Sequence, residues 1–129
     1  MKRHLVLISE AEYKDMLGGS KYLVRFFKKK SEFFREISVG DLVYFKKAKG
    51  EILGEFSIGK GVFVENLEPG DFEILRKFSK DFSRGVFEKK LAENNTMGIV
   101  KIEKLEQFIT SPIDVPVRIR KEWSVLEDL

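Results

Sequence analysis

The feature that most constrains the fold of this chain is a series of short apolar segments separated by glycine-containing turns. Segments of four to eight residues that are rich in valine, leucine, isoleucine and aromatic residues are typical of β-strands. Short strands with a few inserted helices predict an α+β domain built around a small, bent β barrel. The predicted strands are Arg3–Ile8, Lys21–Lys28, Leu42–Lys47, Glu51–Ile58, Val62–Glu65 after a bend or bulge at 59–61, and Gly98–Glu103 with an extension towards Phe108 and Ile109. Val117–Leu126 is predicted to be a last strand or an extended tail.

Three helices are predicted between these strands. Ser9 is a good N-cap for a helix over Glu10–Leu17, and Glu12 stands three residues further on, as a capping box requires. Gly18 and Gly19 end this helix because glycine tolerates a left-handed cap. Apolar stripes after residue 71 predict two further helices. The stripes are Phe72, Leu75, Phe78 and Phe82, and then Val86, Phe87 and Leu91. A basic turn or short helix is predicted from Ser31 to Arg35, and loops are predicted at Ser111, Pro112 and Pro116.

Length and composition narrow the functional classes. The 129 residues contain no linker and no internal repeat, which predicts a single domain over residues 1–129. The absence of cysteine excludes disulfides, zinc–thiolate sites and cysteine nucleophiles, and a single histidine excludes most histidine metal sites. We therefore expect no cofactor and no metal. No apolar run approaches the roughly 18–20 residues of a membrane span, so we expect a cytoplasmic protein. A charged fraction of 35% is compatible with a thermophilic source.

Positive charge is concentrated in one part of the chain. Between Ser20 and Gly50 there are nine lysines and arginines against three acidic residues, which gives +6, whereas the net charge of the whole chain is +3. Aromatic residues are interleaved with the basic ones, a pattern that suits nucleic acid because cations neutralise phosphates and rings stack on bases. The alternative is that the aromatic residues form core and the lysines a solvated face. The predicted basic footprint consists of Lys21, Arg25, Lys28, Lys46 and Lys47, of which Lys46 and Lys47 are expected to face solvent.

Three aromatic or titratable residues are further candidates. Tyr44 suits a polar-edged pocket because its hydroxyl both donates and accepts hydrogen bonds. Trp123, which is flanked by basic residues, either stacks on a base or plugs the end of the barrel. His4 has no second histidine or cysteine as a partner, so it is interpreted as a surface or hydrogen-bonded structural residue.

The order of these segments resembles the PUA-like superfamily, and within it the ASCH-type and EVE-type domains, which include small archaeal proteins. The motifs that carry the resemblance are residues 16–25 (MLGGSKYLVR), 39–45 (VGDLVYF) and 52–58 (ILGEFSI). The resemblance implies a PUA-like β pseudobarrel with packed helices. It also implies association with RNA, since several relatives hold a modified or flipped base in a pocket on the barrel.

One ASCH branch is enzymatic and hydrolyses the amide of N4-acetylcytidine with a lysine, a threonine and a glutamate. In this chain Lys21 matches the lysine, and Glu55 lies on a strand able to supply the carboxylate. The position of the threonine nucleophile is occupied by Val24, which has no hydroxyl for a base to activate. The resemblance therefore favours binding over catalysis.

The sequence thus predicts a non-catalytic module that recognises RNA or a modified nucleobase through the basic footprint, with Tyr44 and Trp123 as candidate contacts to a base. The first alternative is an amidohydrolase acting on a modified nucleoside such as N4-acetylcytidine, with Lys21 and Glu55 as its machinery. The second is a protein-interaction module whose basic face meets an acidic partner. The oligomeric state is left open.

Overall fold

A computed structural model describes residues 1–28, 37–79, 82–110 and 122–126. In this part of the chain six strands form one sheet, and three helices accompany it. The strands are β1 (Arg3–Leu7), β2 (Tyr22–Phe27), β3 (Leu42–Lys46), β4 (Ile52–Glu65), β5 (Thr96–Gln107) and β6 (Trp123–Leu126). The helices are α1 (Glu10–Leu17), α2 (Phe72–Phe78), which follows a 3₁₀ turn at Pro69–Asp71, and α3 (Arg84–Glu93).

The strand order across the sheet is β2-β5-β4-β3-β1-β6. All neighbouring strands are antiparallel except β1 and β3, which run parallel. One edge of the sheet is β2 and the other is β6, yet Leu23 of β2 and Trp123 of β6 belong to the same buried cluster. A flat sheet of six strands would hold its edges about 24 Å apart, at 4.8 Å per strand. The sheet is therefore curled, which confirms the predicted α+β class with a bent barrel.

The curled sheet buries apolar residues on both of its faces. The interior cluster contains residues from all six strands, Phe45 and Phe56 among them. On the outer face of β2 and β5, a second cluster packs against α2 and α3 through Leu75 and Phe87. On the outer face of β1 and β3, a third and smaller cluster is centred on Tyr44. Because strands in the middle of the sheet are covered on both sides, neither face of β3 is available for solvated side chains.

Helix α1 has the predicted bounds, because a local capping signal sets its start. The Ser9 hydroxyl accepts a hydrogen bond from the Glu12 amide at 3.1 Å, and the Glu12 carboxylate accepts one from the Ser9 amide at 3.0 Å. These two bonds satisfy amide groups that the helix cannot pair internally. Gly19, with φ at +101°, then adopts the left-handed conformation expected after the helix.

Several predicted elements need correction. The two strands predicted over Glu51–Glu65 are one continuous strand, β4, whose register against β5 shifts between Ile58 and Gly61, where the bulge was predicted. Phe82 lies outside α2, although its ring packs 5.8 Å from that of Phe26, and Val86 is exposed rather than buried. The predicted turn from Ser31 to Arg35, the loops at Ser111, Pro112 and Pro116, and residues 117–121 of the last predicted strand lie outside the described residues.

Gly54 is a position at which β4 has no room for a side chain. A Cβ atom there would lie 2.3 Å from the Glu106 carbonyl oxygen and 2.5 Å from the Phe45 ring. We expect Gly54→Ala to lower the free energy of unfolding by about 2 kcal/mol, because overpacking forces shifts of backbone and core. At Gly59 an added Cβ meets only the flexible Glu103 side chain, so Gly59→Ala is the matched control. Urea titration followed by Trp123 fluorescence measures both, and equal losses would contradict the prediction.

Candidate functional site

A cleft of about 780 Å³ lies between α1, β2 and α3. Its volume falls within the range of about 300–1,000 Å³ that is usual for sites that bind small molecules. Aromatic and apolar side chains share the lining with hydroxyl, carboxylate, amide and ammonium groups. The lining includes Ser20, Tyr22, Val24, Arg25 and Phe26 from β2 and the segment before it, Glu12 and Asp15 from α1, and Phe82, Lys90, Glu93 and Glu122.

The guanidinium of Arg25 closes the gap between β2 and β1, two strands that do not pair. Its Nη1 donates to the Val24 carbonyl at 2.8 Å, and its Nη2 donates to the Leu7 carbonyl at 2.7 Å. The same two nitrogens bind both carboxylate oxygens of Glu12, at 2.5 and 3.1 Å. We call this arrangement the guanidinium clasp. It ties β1, β2 and α1 together, and each end of the ion pair is also held by main-chain hydrogen bonds.

The clasp corrects the prediction that Arg25 is part of an exposed basic footprint. Arg25 is 9% exposed, and Glu12 neutralises its charge. Its Nε is buried without a hydrogen-bond partner among the described residues. A guanidinium held in a two-oxygen contact with a carboxylate is not available to a phosphate. Glu12, which the sequence analysis treated only as a capping residue, is therefore a structural element of the cleft.

Lys46 is also buried, contrary to the prediction that it faces solvent. Its side chain is fully buried rather than solvent-facing, and Nζ has no hydrogen-bond partner in the part of the chain that the structure describes. Lys46 alternates with Phe45, so it lies on the outer face of β3 beside Tyr44, in register with Leu7 of β1 and Ile52 of β4. It is not in contact with solvent and cannot bind RNA in this structure.

Replacing Lys46 by methionine is expected to stabilise the protein, by about 1–3 kcal/mol. Burying an ammonium group without a partner costs free energy, whereas a methionine of similar length keeps the packing. The control is Lys47→Met, which removes a partly exposed ion pair and should change the stability by less than about 1 kcal/mol. Denaturant titration of both variants tests this. A Lys46→Met variant less stable than the wild type would mean that the charge itself is needed.

The other residues of the predicted footprint are dispersed. Lys47 forms an ion pair with Glu10 and lies over the Tyr13 ring at 5.4 Å, so its charge is used to hold α1. Lys21 and Lys28 are exposed at opposite ends of β2. The predicted footprint therefore does not form one basic surface, since two of its five residues are buried and a third is paired.

The structure does not bring Lys21 and Glu55 together. Lys21 precedes β2 and alternates with Leu23 of the interior cluster, whereas Glu55 pairs with Tyr44 on the outer face. Neither residue is among those that line the cleft. Burial raises the pKa of Glu55, and the neighbouring Glu106 carboxylate raises it further by its charge and by a hydrogen bond. The two residues proposed for an amidohydrolase thus lie on different faces of the sheet.

A second buried polar network joins His4, Asp41 and Trp123. The indole N–H of Trp123 donates to Nδ1 of His4 at 3.2 Å, which places the imidazole proton on Nε2, 2.9 Å from the Asp41 carboxylate. Asp41 also accepts from the amides of Lys2 and Ser38. His4 is thus a hydrogen-bonded structural residue, one of the two roles predicted for it.

Trp123 and Tyr44 do not form an exposed stacking surface. Trp123 is 5% exposed and belongs to the interior cluster, the position that corresponds to the plug of the barrel. Tyr44 is 7% exposed, and its ring lies 6.3 Å from that of Phe108. Neither ring is accessible for stacking on a base in this structure. The aromatic residues that line the cleft are instead Tyr22, Phe26 and Phe82, of which Tyr22 and Phe82 are partly exposed and Phe26 is buried in the cluster beneath α2 and α3.

The described residues contain no group of three or more histidine, cysteine, aspartate or glutamate side chains able to hold a metal ion. None of the helices among them has the length and apolarity needed to cross a membrane.

Comparison with known proteins identifies the fold. No protein-family model matches the sequence, and no curated protein matches it. Among solved structures, ASCH from Zymomonas mobilis superposes with a TM-score of 0.58 at 8% identity, over 82% of this chain and 70% of that one. A tyrosine-to-phenylalanine mutant of that protein gives 0.59 at 8% identity, over 83% and 73%. A serine-to-alanine mutant gives 0.59 at 7% identity, over 82% and 70%. The chain therefore has the PUA-like, ASCH-type fold that the sequence predicts.

Proposed function

We propose that this chain is a non-catalytic module that binds single-stranded RNA and takes one nucleobase into the cleft between α1, β2 and α3. The observation that carries the proposal is the cleft itself, whose volume of about 780 Å³ has room for a nucleoside. Tyr22 and Phe82, which are partly exposed, contribute aromatic rings to its lining, and aromatic rings are the side chains on which unpaired bases stack.

The rim of the cleft suits the RNA backbone. Lys21 lies between Ser20 and Tyr22, both of which line the cleft, and Lys28 follows the lining residue Phe26 by two positions. Both lysines are exposed at opposite ends of β2, about 23 Å apart at 3.3 Å per residue, so their ammonium groups are accessible to separate phosphates of an RNA strand that runs along β2. In this arrangement the base enters the cleft and the backbone stays at its rim.

The chemistry of the cleft supports binding more than catalysis. Acyl transfer needs a nucleophile beside a base that activates it. Val24 provides no hydroxyl, the hydroxyl of Ser9 caps α1, and His4 is used in the Asp41 network. Lys21 and Glu55 lie on different faces of the sheet. The protein-interaction alternative needs a continuous basic face, and burial or pairing of Arg25, Lys46 and Lys47 removes most of it.

Salt dependence of RNA binding tests the proposal. Affinity for a single-stranded RNA ten-mer should fall with salt, with a slope of about −0.7 for each phosphate neutralised. Lys21→Gln with Lys28→Gln should reduce the magnitude of the slope by about 1.4. The control is Lys60→Gln with Lys104→Gln, which removes the same charge from two exposed residues that do not flank the cleft. Fluorescence anisotropy between 50 and 300 mM salt measures each slope.

Two results would overturn the proposal. Absence of RNA binding at low salt would remove the RNA function, and an equal effect of the control pair would remove the role of the rim. Turnover of N4-acetylcytidine that is lost in Lys21→Met would show that the module is an enzyme, contrary to the non-catalytic part of the proposal.

A further inference from the structure

The edge of β2 that faces the cleft has no strand beside it among the described residues. The carbonyl of Lys21 accepts a hydrogen bond from the Ile102 amide at 2.7 Å, and that of Phe27 accepts from the Asn95 amide at 3.0 Å. In an antiparallel strand, successive residues direct their N–H and C=O groups to alternate sides. The odd-numbered residues of β2 therefore bond to β5, and Tyr22, Val24 and Phe26 direct their main-chain groups away from it, towards the cleft.

Only some of these outward-facing N–H and C=O groups have hydrogen-bond partners. The Val24 carbonyl accepts from the Arg25 guanidinium at 2.8 Å, and the Tyr22 carbonyl accepts from the Ser20 hydroxyl at 3.4 Å. Phe26 differs from both, because neither its N–H nor its C=O has a hydrogen-bond partner in the described part of the chain. The N–H of Val24 is likewise unpaired there. A single residue of the cleft thus presents an adjacent donor and acceptor.

On the basis of the proposed function, we propose that the main chain of Phe26, with the N–H of Val24 beside it, reads the hydrogen-bonding edge of the bound nucleobase. Each nucleobase carries a donor next to an acceptor on its Watson–Crick edge, which is the complement of one residue's C=O and N–H. Unpaired main-chain groups that lose contact with water cost free energy. A ligand that satisfies both groups removes this cost, whereas a ligand without the donor leaves the carbonyl unsatisfied and is rejected.

The same geometry disfavours an extended peptide as the occupant. A peptide added as a strand requires successive free N–H and C=O groups along the edge. The carbonyls of Tyr22 and Val24 already accept side-chain hydrogen bonds, so only Phe26 offers both a free N–H and a free C=O along this edge. A planar heterocycle needs only one such N–H and C=O.

The charge of the lining also favours an uncharged ring. Glu12 neutralises Arg25 inside the clasp. Of the other charged residues in the lining, Asp15, Glu93 and Glu122 are acidic, and Lys90 is basic. An excess of carboxylates repels a phosphate and leaves a neutral base unaffected. The base edge, not the phosphate, is therefore the part of the ligand that this cleft recognises.

Residue-resolved amide hydrogen exchange tests the inference on the ¹⁵N-labelled protein. Uridine, cytidine, adenosine and guanosine are added in turn, and the RNA ten-mer is used where a free nucleoside does not saturate. In the free protein, the amides of Val24 and Phe26 should exchange faster than those of Leu23 and Arg25, which bond to β5. Saturation should slow exchange at Val24 and Phe26 at least tenfold and leave Leu23 and Arg25 unchanged. Where uridine binds, 3-methyluridine, which lacks the N3 donor, should bind at least tenfold more weakly.

The outcomes separate this inference from the function on which it rests. A nucleoside or RNA that shifts the resonances of Tyr22 and Phe82 but leaves exchange at Val24 and Phe26 unchanged would overturn main-chain reading and leave RNA binding standing. Equal affinity for uridine and 3-methyluridine would do the same. Failure of all nucleosides and of the RNA to bind would overturn the proposed function itself. Protection of Tyr22, Val24 and Phe26 alike by an unstructured peptide, without binding of RNA, would assign the edge to strand addition and overturn both.

Discussion

The replacement of Arg25 by methionine is expected to lower the free energy of unfolding by about 3 kcal/mol. The guanidinium donates four hydrogen bonds, two to the Glu12 carboxylate and one each to the carbonyls of Leu7 and Val24. Methionine fills a similar volume but leaves these acceptors without their donor. Removal of one partner of a largely buried ion pair typically costs 3–5 kcal/mol, and the partial exposure of Glu12 places the expected loss at the lower end. Urea titration followed by circular dichroism measures the loss.

Two companion variants identify the source of this effect. Adding Glu12→Gln to Arg25→Met should recover part of the lost stability, since no unpaired carboxylate then remains beside the gap. Lys47→Met breaks the Glu10 ion pair on the same helix and should cost less than about 1 kcal/mol, because that pair is largely solvated. A loss for Arg25→Met no larger than that for Lys47→Met would show that the clasp contributes little to holding β1 against β2.

Asp41→Asn is expected to cost a similar amount, about 3 kcal/mol at neutral pH. Asp41 is 2% exposed and accepts hydrogen bonds from His4 and from the amides of Lys2 and Ser38. An asparagine of the same shape directs an NH₂ group at these donors and removes the negative charge that strengthens each bond. Thermal and urea unfolding measure the loss. Asp71→Asn is the control, because Asp71 accepts only an exposed local hydrogen bond.

The effect of Asp41→Asn should depend on pH in a defined direction. Burial alone would raise the pKa of Asp41, but the hydrogen bonds from His4, Lys2 and Ser38 outweigh it and hold the pKa below its ordinary value of 3.8. A carboxylate with a lowered folded pKa stabilises the protein above its unfolded pKa, and this contribution is lost as the pH falls through the folded pKa. The stability difference between wild type and variant should therefore shrink from pH 5 to pH 3. A difference that grew over this interval would contradict the assignment.

Local signals in the sequence predicted α1 and β2 well, and long-range contacts explain the errors. The Ser9–Glu12 capping box lies within four residues, so its effect on the helix is readable from the sequence. The burial of Lys46 is not, because alternation along β3 assigns two faces but does not indicate that a cluster around Tyr44 covers the outer one. Charge density along the sequence therefore overestimated the charge on the surface.

The two buried polar networks were missed for the same reason. His4 and Trp123 are separated by 119 positions, and no local pattern connects them. Arg25 was assigned to the basic footprint because its partner, Glu12, lies in the preceding helix. The role of Glu12 in capping that helix already explained its presence, so a second role was not expected. One signal in the sequence did indicate that Arg25 is buried. It is the single charged residue between the apolar residues Val24 and Phe26 of a predicted strand.

The strand order also determines which part of the molecule opens most readily. β3 and β4 form a hairpin, and β4 pairs with β5 over the longest register in the sheet, so we expect these three strands to form a central unit before β1, β2 and β6 are added. β1 pairs with β3 on one side, but its other side pairs with β6, which lies more than 110 residues further along the chain, and closing so long a loop carries an entropic cost that local pairing avoids. We therefore expect α1, β1 and β2 to be among the last elements to fold and the first to exchange with solvent under native conditions. Since these elements contribute about half of the residues that line the cleft, the proposed nucleobase would enter by local opening of the cleft's own walls.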